Sequence, residues 1–257
     1  MRKILIIFLL FSLLMLYPVL GAGAVERIKK AGVLKVGSDV AYAPFEFMEG
    51  DKPVGFDIDI AQEIAKALGV KLQIINTSFD GIIAALKAKK FDIIISAMTI
   101  TEERKKEIDF SIPYYDSGQI IVVRSDNKDI NSEKDLKGKI VGVQLGTTGE
   151  LTAKKIKDQV GIKEIRSYET IPEAFMDLEL GRLDAVINDL PVSLYYSKNN
   201  PKLKCVGKPF TIEQYGIAVR KEDKDLLKKI NEILTNLKKT GKYNQIYKKW
   251  FGIEPPK

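Results

Sequence analysis

Beyond residue 24, short apolar runs alternate with amphipathic stretches of helical period, and that alternation confines the chain to an α/β fold. Leu34 to Gly37 reads as a strand. Phe56 to Leu68 follows as a helix with Ile58, Ile60, Ala61, Ile64, Ala65 and Leu68 on one side, closed by Gly69. Lys71 to Ile75 is the next strand, Ser78 is placed to cap a helix running through Lys87, and Phe91 to Ser96 is a third strand. A second progression opens at Lys139. Strand Lys139 to Gln144 leads through the turn Gly146-Thr147-Thr148-Gly149 into a helix from Glu150 to Gln159, then into strand Glu164 to Tyr168. Thr170-Ile171-Pro172-Glu173 starts another helix with proline at an early position, and Leu183 to Asn188 returns as a strand. Two α/β lobes are expected.

Two extended stretches connect them. Pro113 to Gly118 leads into Gln119 to Arg124, and Glu213-Gln214-Tyr215-Gly216 leads into Ile217 to Arg220, followed by a helix from Lys224 to Lys239 and a short one ending at Trp250. The chain is expected to leave a first lobe, build a second and return, giving a discontinuous lobe 1 (25–115 and 215–257) and a lobe 2 (116–214). A site between lobes joined by a double hinge is where binding drives closure.

Composition narrows the class of function. Residues 1–24 place two charges ahead of an apolar run, Ile4 to Leu16, and end in Ala22-Gly23-Ala24, the layout of a cleaved export signal rather than a membrane span. With Cys205 as the single cysteine, an exported chain has no internal disulfide and no lipid-bearing cysteine at the cleavage point. The absence of histidine excludes imidazole catalysis and leaves no convincing set of soft metal ligands, so neither a metal nor a cofactor is expected. Without Arg2 and Lys3, the 41 Lys+Arg become 39 against 34 Asp+Glu, a net charge of +5. Much of the excess lies in lysine runs beside apolar helix positions, such as Lys228-Lys229 and Lys248-Lys249. These read as solvated helix faces rather than a nucleic-acid surface.

The chemistry concentrates in SAMTITEERKKEIDFS, Ser96 to Ser111, and in the later run Asn188-Asp189-Leu190-Pro191. The planar fork of Arg104 matches a carboxylate bidentately and Asp189 accepts from an ammonium, so the pair suits the two poles of a free α-amino acid. Asp189 follows an apolar strand, at the carboxyl end where ligands of open α/β sheets sit, although it could instead serve to cap the next helix.

These runs form a longer ordered set: GSDVAYAPFEF (Gly37 to Phe47), VGFDIDIAQEIAKALG (Val54 to Gly69), SAMTITEERKKEIDFS, VGVQLGTTGE (Val141 to Glu150), GRLDAVINDLP (Gly181 to Pro191), QYGIAV and GKYNQIYKKWFG. Over about the whole chain after the leader, the set resembles the family-3 periplasmic solute-binding proteins of ABC importers, most of all the glutamine and basic amino-acid binders. The resemblance implies a type II two-lobe periplasmic binding protein fold, each lobe a mixed, mostly parallel sheet flanked by helices, the lobes joined by two hinge strands.

It also implies a site. Arg104 would clasp the ligand α-carboxylate with help from nearby backbone amides, while Ser96, Thr99 and the Ala97 carbonyl line the same pocket. From the second lobe, Thr147 and Thr148 of the GTTG turn would reach the carboxylate, and Asp189 would take the ammonium. Tyr42 and Phe79 match the aromatic pair that sandwiches the ligand side chain, with Asp39 and Gln144 at its far end. Glutamine binders often carry lysine where Gln144 stands. Asp39 disfavours a second ligand carboxylate, leaving glutamine, arginine and lysine open. The implied partners are a free amino acid and the membrane permease subunits of the transporter, met by a periplasmic monomer that binds no nucleic acid and is not an enzyme. Two alternatives remain: a periplasmic enzyme resembling cyclohexadienyl dehydratase, for which Asp39 or Glu46 would supply the acid, and an extracytoplasmic sensor, expected to continue past Trp250 into a membrane segment.

Overall fold

A computed structural model describes residues 23–256, so all but the end of the expected leader lies outside the described residues. Two five-stranded sheets organise the chain. In the first, Val33–Ser38 lies between Lys71–Asn76 and Ile93–Ile94, parallel to both; Ala218–Val219 then runs antiparallel between Ile93–Ile94 and Asp109–Phe110. In the second, Ile140–Gln144 lies parallel between Glu164–Tyr168 and Ala185–Asp189, and Gln119–Arg124 runs antiparallel between Ala185–Asp189 and Leu203–Val206. Both sheets are mixed, with four of the five strands running in one direction, as the family resemblance implied.

Strand alternation explains the helices on each face, because successive side chains point to opposite sides. Ile93 and Val219 join the core formed with the helices Phe56–Leu68 and Lys224–Lys239, whereas Ile94 and Ala218 pack on Ile82, Ala85 and Leu86 of the helix Ile82–Lys87. In the other sheet, Ile121, Val123 and Ile187 pack on Ala153 of the helix Thr148–Val160, while Val122 and Val186 face the helix Ile171–Glu179.

The link between the sheets is a two-stranded antiparallel ribbon, Tyr115–Ser117 with Glu213–Tyr215. The longer stretches beside it already belong to the sheets: Gln119–Arg124 to the second and Ala218–Val219 to the first. Tyr115 stacks between Tyr215 (5.7 Å between ring centroids) and Tyr247 (5.6 Å), so aromatic packing from the helix Lys242–Phe251 stiffens the ribbon. Phe91 to Ser96 pairs as a strand only at Ile93–Ile94. Ser78 departs from its expected role: the segment starts as a 3₁₀ turn, Phe79–Gly81, and the Ser78 hydroxyl caps nothing, donating to Glu169 Oε1 (2.6 Å) from the other sheet. Cys205 is free and half-buried. Among the described residues no helix is long and apolar enough to cross a membrane, and no group of three His, Cys, Asp or Glu side chains could hold a metal ion.

Candidate functional site

The carboxyl ends of the parallel strands of both sheets face one another, the general position of ligand sites in open α/β sheets. Between them lies a narrow, nearly closed cavity lined by all eleven residues expected from the sequence together with Glu46.

Arg104 sits on a short helix, Glu102–Glu107, whose N-cap Thr101 accepts the Arg104 amide (3.1 Å); that amide is therefore engaged in the cap. The guanidinium, only 9% exposed, donates from Nη1 to the Thr99 carbonyl (2.7 Å) and from Nη2 across the cleft to the Gly146 carbonyl (3.0 Å). Phe79 lies beneath it with its ring centroid 5.2 Å from Cζ, a cation-π contact. Burial pulls its pKa down to about 10 while Asp189 and Glu213 oppose the shift, so it remains a cation at neutral pH. Among the described residues lining the cavity it is the one cation.

Asp189 ends the strand Ala185–Asp189 and precedes the helix Leu190–Asn199, but its carboxylate makes no cap. It accepts instead from the Gln119 amide and the Tyr215 hydroxyl. Burial, then the charge of Glu213, raises its pKa to about 7, and the hydrogen bonds from Tyr215 and Gln119 resist that rise. An ammonium or guanidinium brought beside it restores the ionised form.

At the other end, Asp39 follows Val33–Ser38 and Gln144 ends Ile140–Gln144. The two meet across the cleft, Gln144 Nε2 donating to Asp39 Oδ2 (2.7 Å). Desolvation lifts the Asp39 pKa to about 6; Gln144 and the Phe79 amide lower it, and the charges of Glu169 and Asp80 lift it further. Tyr42 donates to Asn188 Oδ1 (2.8 Å), another bond between the sheets. Gly146 completes the contact: its φ of +76° suits glycine, and a Cβ there would stand 2.9 Å from the Asp80 backbone opposite.

Beneath the cavity, Ser96 Oγ donates to Glu46 Oε1 (2.8 Å) and accepts from the Asp39 amide (3.0 Å). Asp57 Oδ2 accepts from Tyr114 (2.8 Å) and from the amide of Ala97 (2.7 Å), fixing Ala97 at φ +43°. Glu46 Oε2 and Asp57 Oδ1 are buried with no hydrogen-bond partner, and a proton shared between the two carboxyls would satisfy both. Burial holds both pKa values high, Asp57 at about 7.

Thr147 is in the turn but its hydroxyl serves the fold, donating to the Gln144 carbonyl (2.7 Å) and accepting the Glu150 amide as N-cap (3.2 Å). The sequence reading missed Gln119, Tyr215 and Glu213. They lie on or next to the ribbon, where an extended run of mixed residues carries no periodic signal; the Glu213-Gln214-Tyr215-Gly216 crossing was the nearest pointer.

A buried cation on one lobe and a buried anion on the other, facing across a cleft at the strand ends, define a two-lobe solute-binding protein. The chain belongs to the bacterial extracellular solute-binding proteins of family 3, whose profile matches residues 34–253. It is 38% identical over 238 residues to the L-cystine-binding protein TcyJ of Escherichia coli K12, covering 91% of this chain and 88% of that one. Among solved structures it resembles a mutant of the arginine-binding protein ArgBP of T. maritima (TM-score 0.85, 47% identity, 90% of this chain and 100% of that one). An ancestral arginine-binding protein bound to arginine is similar too (TM-score 0.83, 51% identity, 86% of this chain and 99% of that one). These relatives are binding proteins rather than enzymes.

Proposed function

We propose that this chain is the substrate-binding subunit of an ABC amino-acid importer, exported by its leader, which closes lobe 1 (25–115 with 215–257) and lobe 2 (116–214) on a basic L-amino acid and delivers it to the membrane permease. The observation that carries the choice of ligand is the far end of the cavity. Asp39 is buried there against an uncharged amide, with the charges of Glu169 and Asp80 adding to its field. A guanidinium or ammonium side chain neutralises that field, whereas a second carboxylate would have to be desolvated against it. Arg104 clasps the α-carboxylate and Asp189 the α-ammonium, so the zwitterion bridges the lobes and favours the closed form. The arginine-binding proteins among its structural relatives support the same choice.

A dehydratase reading has less support, because a substrate without an amine leaves Asp189 with no cation to receive. Turnover of prephenate by the purified protein would overturn the transport reading. The direct test is a thermal-shift screen of ligand-stripped protein against the twenty amino acids, since a ligand that binds only the folded state raises Tm. L-Arginine should give the largest shift; a larger shift with glutamate, or none with any amino acid, would sink the proposal.

A further inference from the structure

Glu213 carries a task that neither the clasp nor the far end describes. It stands on the Glu213–Tyr215 strand of the ribbon, is 7% exposed and lies outside the cavity wall. One oxygen, Oε2, accepts from Thr99 Oγ1 (2.7 Å) on the Arg104 side and from Thr148 Oγ1 (2.7 Å) at the start of the helix Thr148–Val160 on the other. The second, Oε1, accepts from Gln119 Nε2 (3.0 Å) and from Thr211 Oγ1 (2.8 Å). Four donors converge on one buried carboxylate, and two of them come from opposite walls of the cleft. No salt bridge to a Lys or Arg is present at Glu213 among the described residues, so these hydrogen bonds compensate its desolvation, and losing any of them is costly.

We propose that Glu213 is a positioning residue, a hinge-borne latch that holds Thr99 of one lobe and Thr148 of the other on a single oxygen and so sets the closed angle of the ribbon. The inference rests on the two-lobe closing reading and deepens it. Opening the cleft carries Thr148 away from Thr99, so one hydroxyl must leave Glu213 and the carboxylate loses a donor. A hydroxyl also has one proton to give. With both protons donated to Glu213, neither threonine hydroxyl has a proton left for the ligand carboxylate, which draws on Arg104 instead. The same arrangement places a second negative charge next to Asp189 at the end where an ammonium is received.

The test uses the full chain without its leader, as Glu213→Gln, Thr148→Val and the double variant in a Cys205→Ser background. Spin labels on exposed positions of the helices Ile82–Lys87 and Thr148–Val160 report the interlobe distance without ligand, and stopped flow reports arginine dissociation. Each single variant should shift the ligand-free distribution toward open forms and speed dissociation about tenfold, with the association rate little changed. The double variant should be no faster than the worse single one, because both changes break the same latch. Unchanged distances and dissociation in Glu213→Gln would overturn the proposal. So would strictly additive effects, or a lowered Tm with dissociation unaltered, which marks a merely structural carboxylate. If no amino acid binds the parent protein, the functional reading fails, yet the ligand-free distances still decide the latch.

Discussion

The two sheets share one plan and present different chemistry at equivalent places. In each, a central strand lies parallel between two neighbours and a fourth strand joins antiparallel. The central strands end at Asp39 in one sheet and at Gln144 in the other, and these two ends bond to each other. The third parallel strand of the first sheet, Ile93–Ile94, runs out into the left-handed Ala97 and reaches its cation at Arg104 on a later helix, while Ala185–Asp189 ends on the anion itself. The comparison teaches that topology supplies facing positions and side chains decide what they grip. It also accounts for polarity: a charge of opposite sign from each lobe suits a ligand with two poles, and neither lobe alone offers both.

Arg104→Ala should break this division most severely. Removing one partner of a buried charge pair costs about 2 to 5 kcal/mol, so every amino acid should lose affinity by about thirtyfold or more in calorimetry. Retained affinity would mean that the carboxylate is held elsewhere. Asp39→Asn tests the other end and should be selective, weakening arginine and lysine by about tenfold or more while glutamine changes little. The parent's affinity for arginine should fall as pH drops through about 6, where Asp39 takes up its proton, and the variant should lose this component.

Beneath the cavity the expected effect is on stability. Asp57 rises from its ordinary 3.8 to about 7 in the folded protein and Glu46 rises as well, so between about pH 4 and 7 the folded state binds more protons than the unfolded one. Stability contributed by this pair is present at low pH and is lost as pH rises through that window. Glu46→Gln should flatten this part of the slope in urea titrations at pH 5 and 7.5; an unchanged slope would argue against a shared proton. The smallest effect is expected for Ser78→Ala. Its bond to Glu169 is solvent-exposed, and its loss should alter arginine affinity by about twofold at most.

Much of this was legible in the chain. Apolar period gave the helix Phe56–Leu68 and its end at Gly69, because that helix buries one regular face, and the strand Glu164–Tyr168 was read to the residue. Ser78 shows the limit: it looks like a cap but does not cap, since Glu169, just after a strand of the other sheet, competes for its hydroxyl, while Thr147, read as a pocket residue, is the one that caps.

What the sequence determined by itself was the main run of strands and helices, the candidate pair Arg104 and Asp189, and the family resemblance, all of them properties of local pattern or of an ordered run of motifs. Tertiary structure alone decided that Gly146 comes against Asp80, that Glu46 and Asp57 are buried as an interacting pair, and that Glu213 gathers hydroxyls from both sides. Those contacts join residues far apart in the chain, and a buried carboxylate is tolerated only where such distant donors converge on it, which no local window of sequence records.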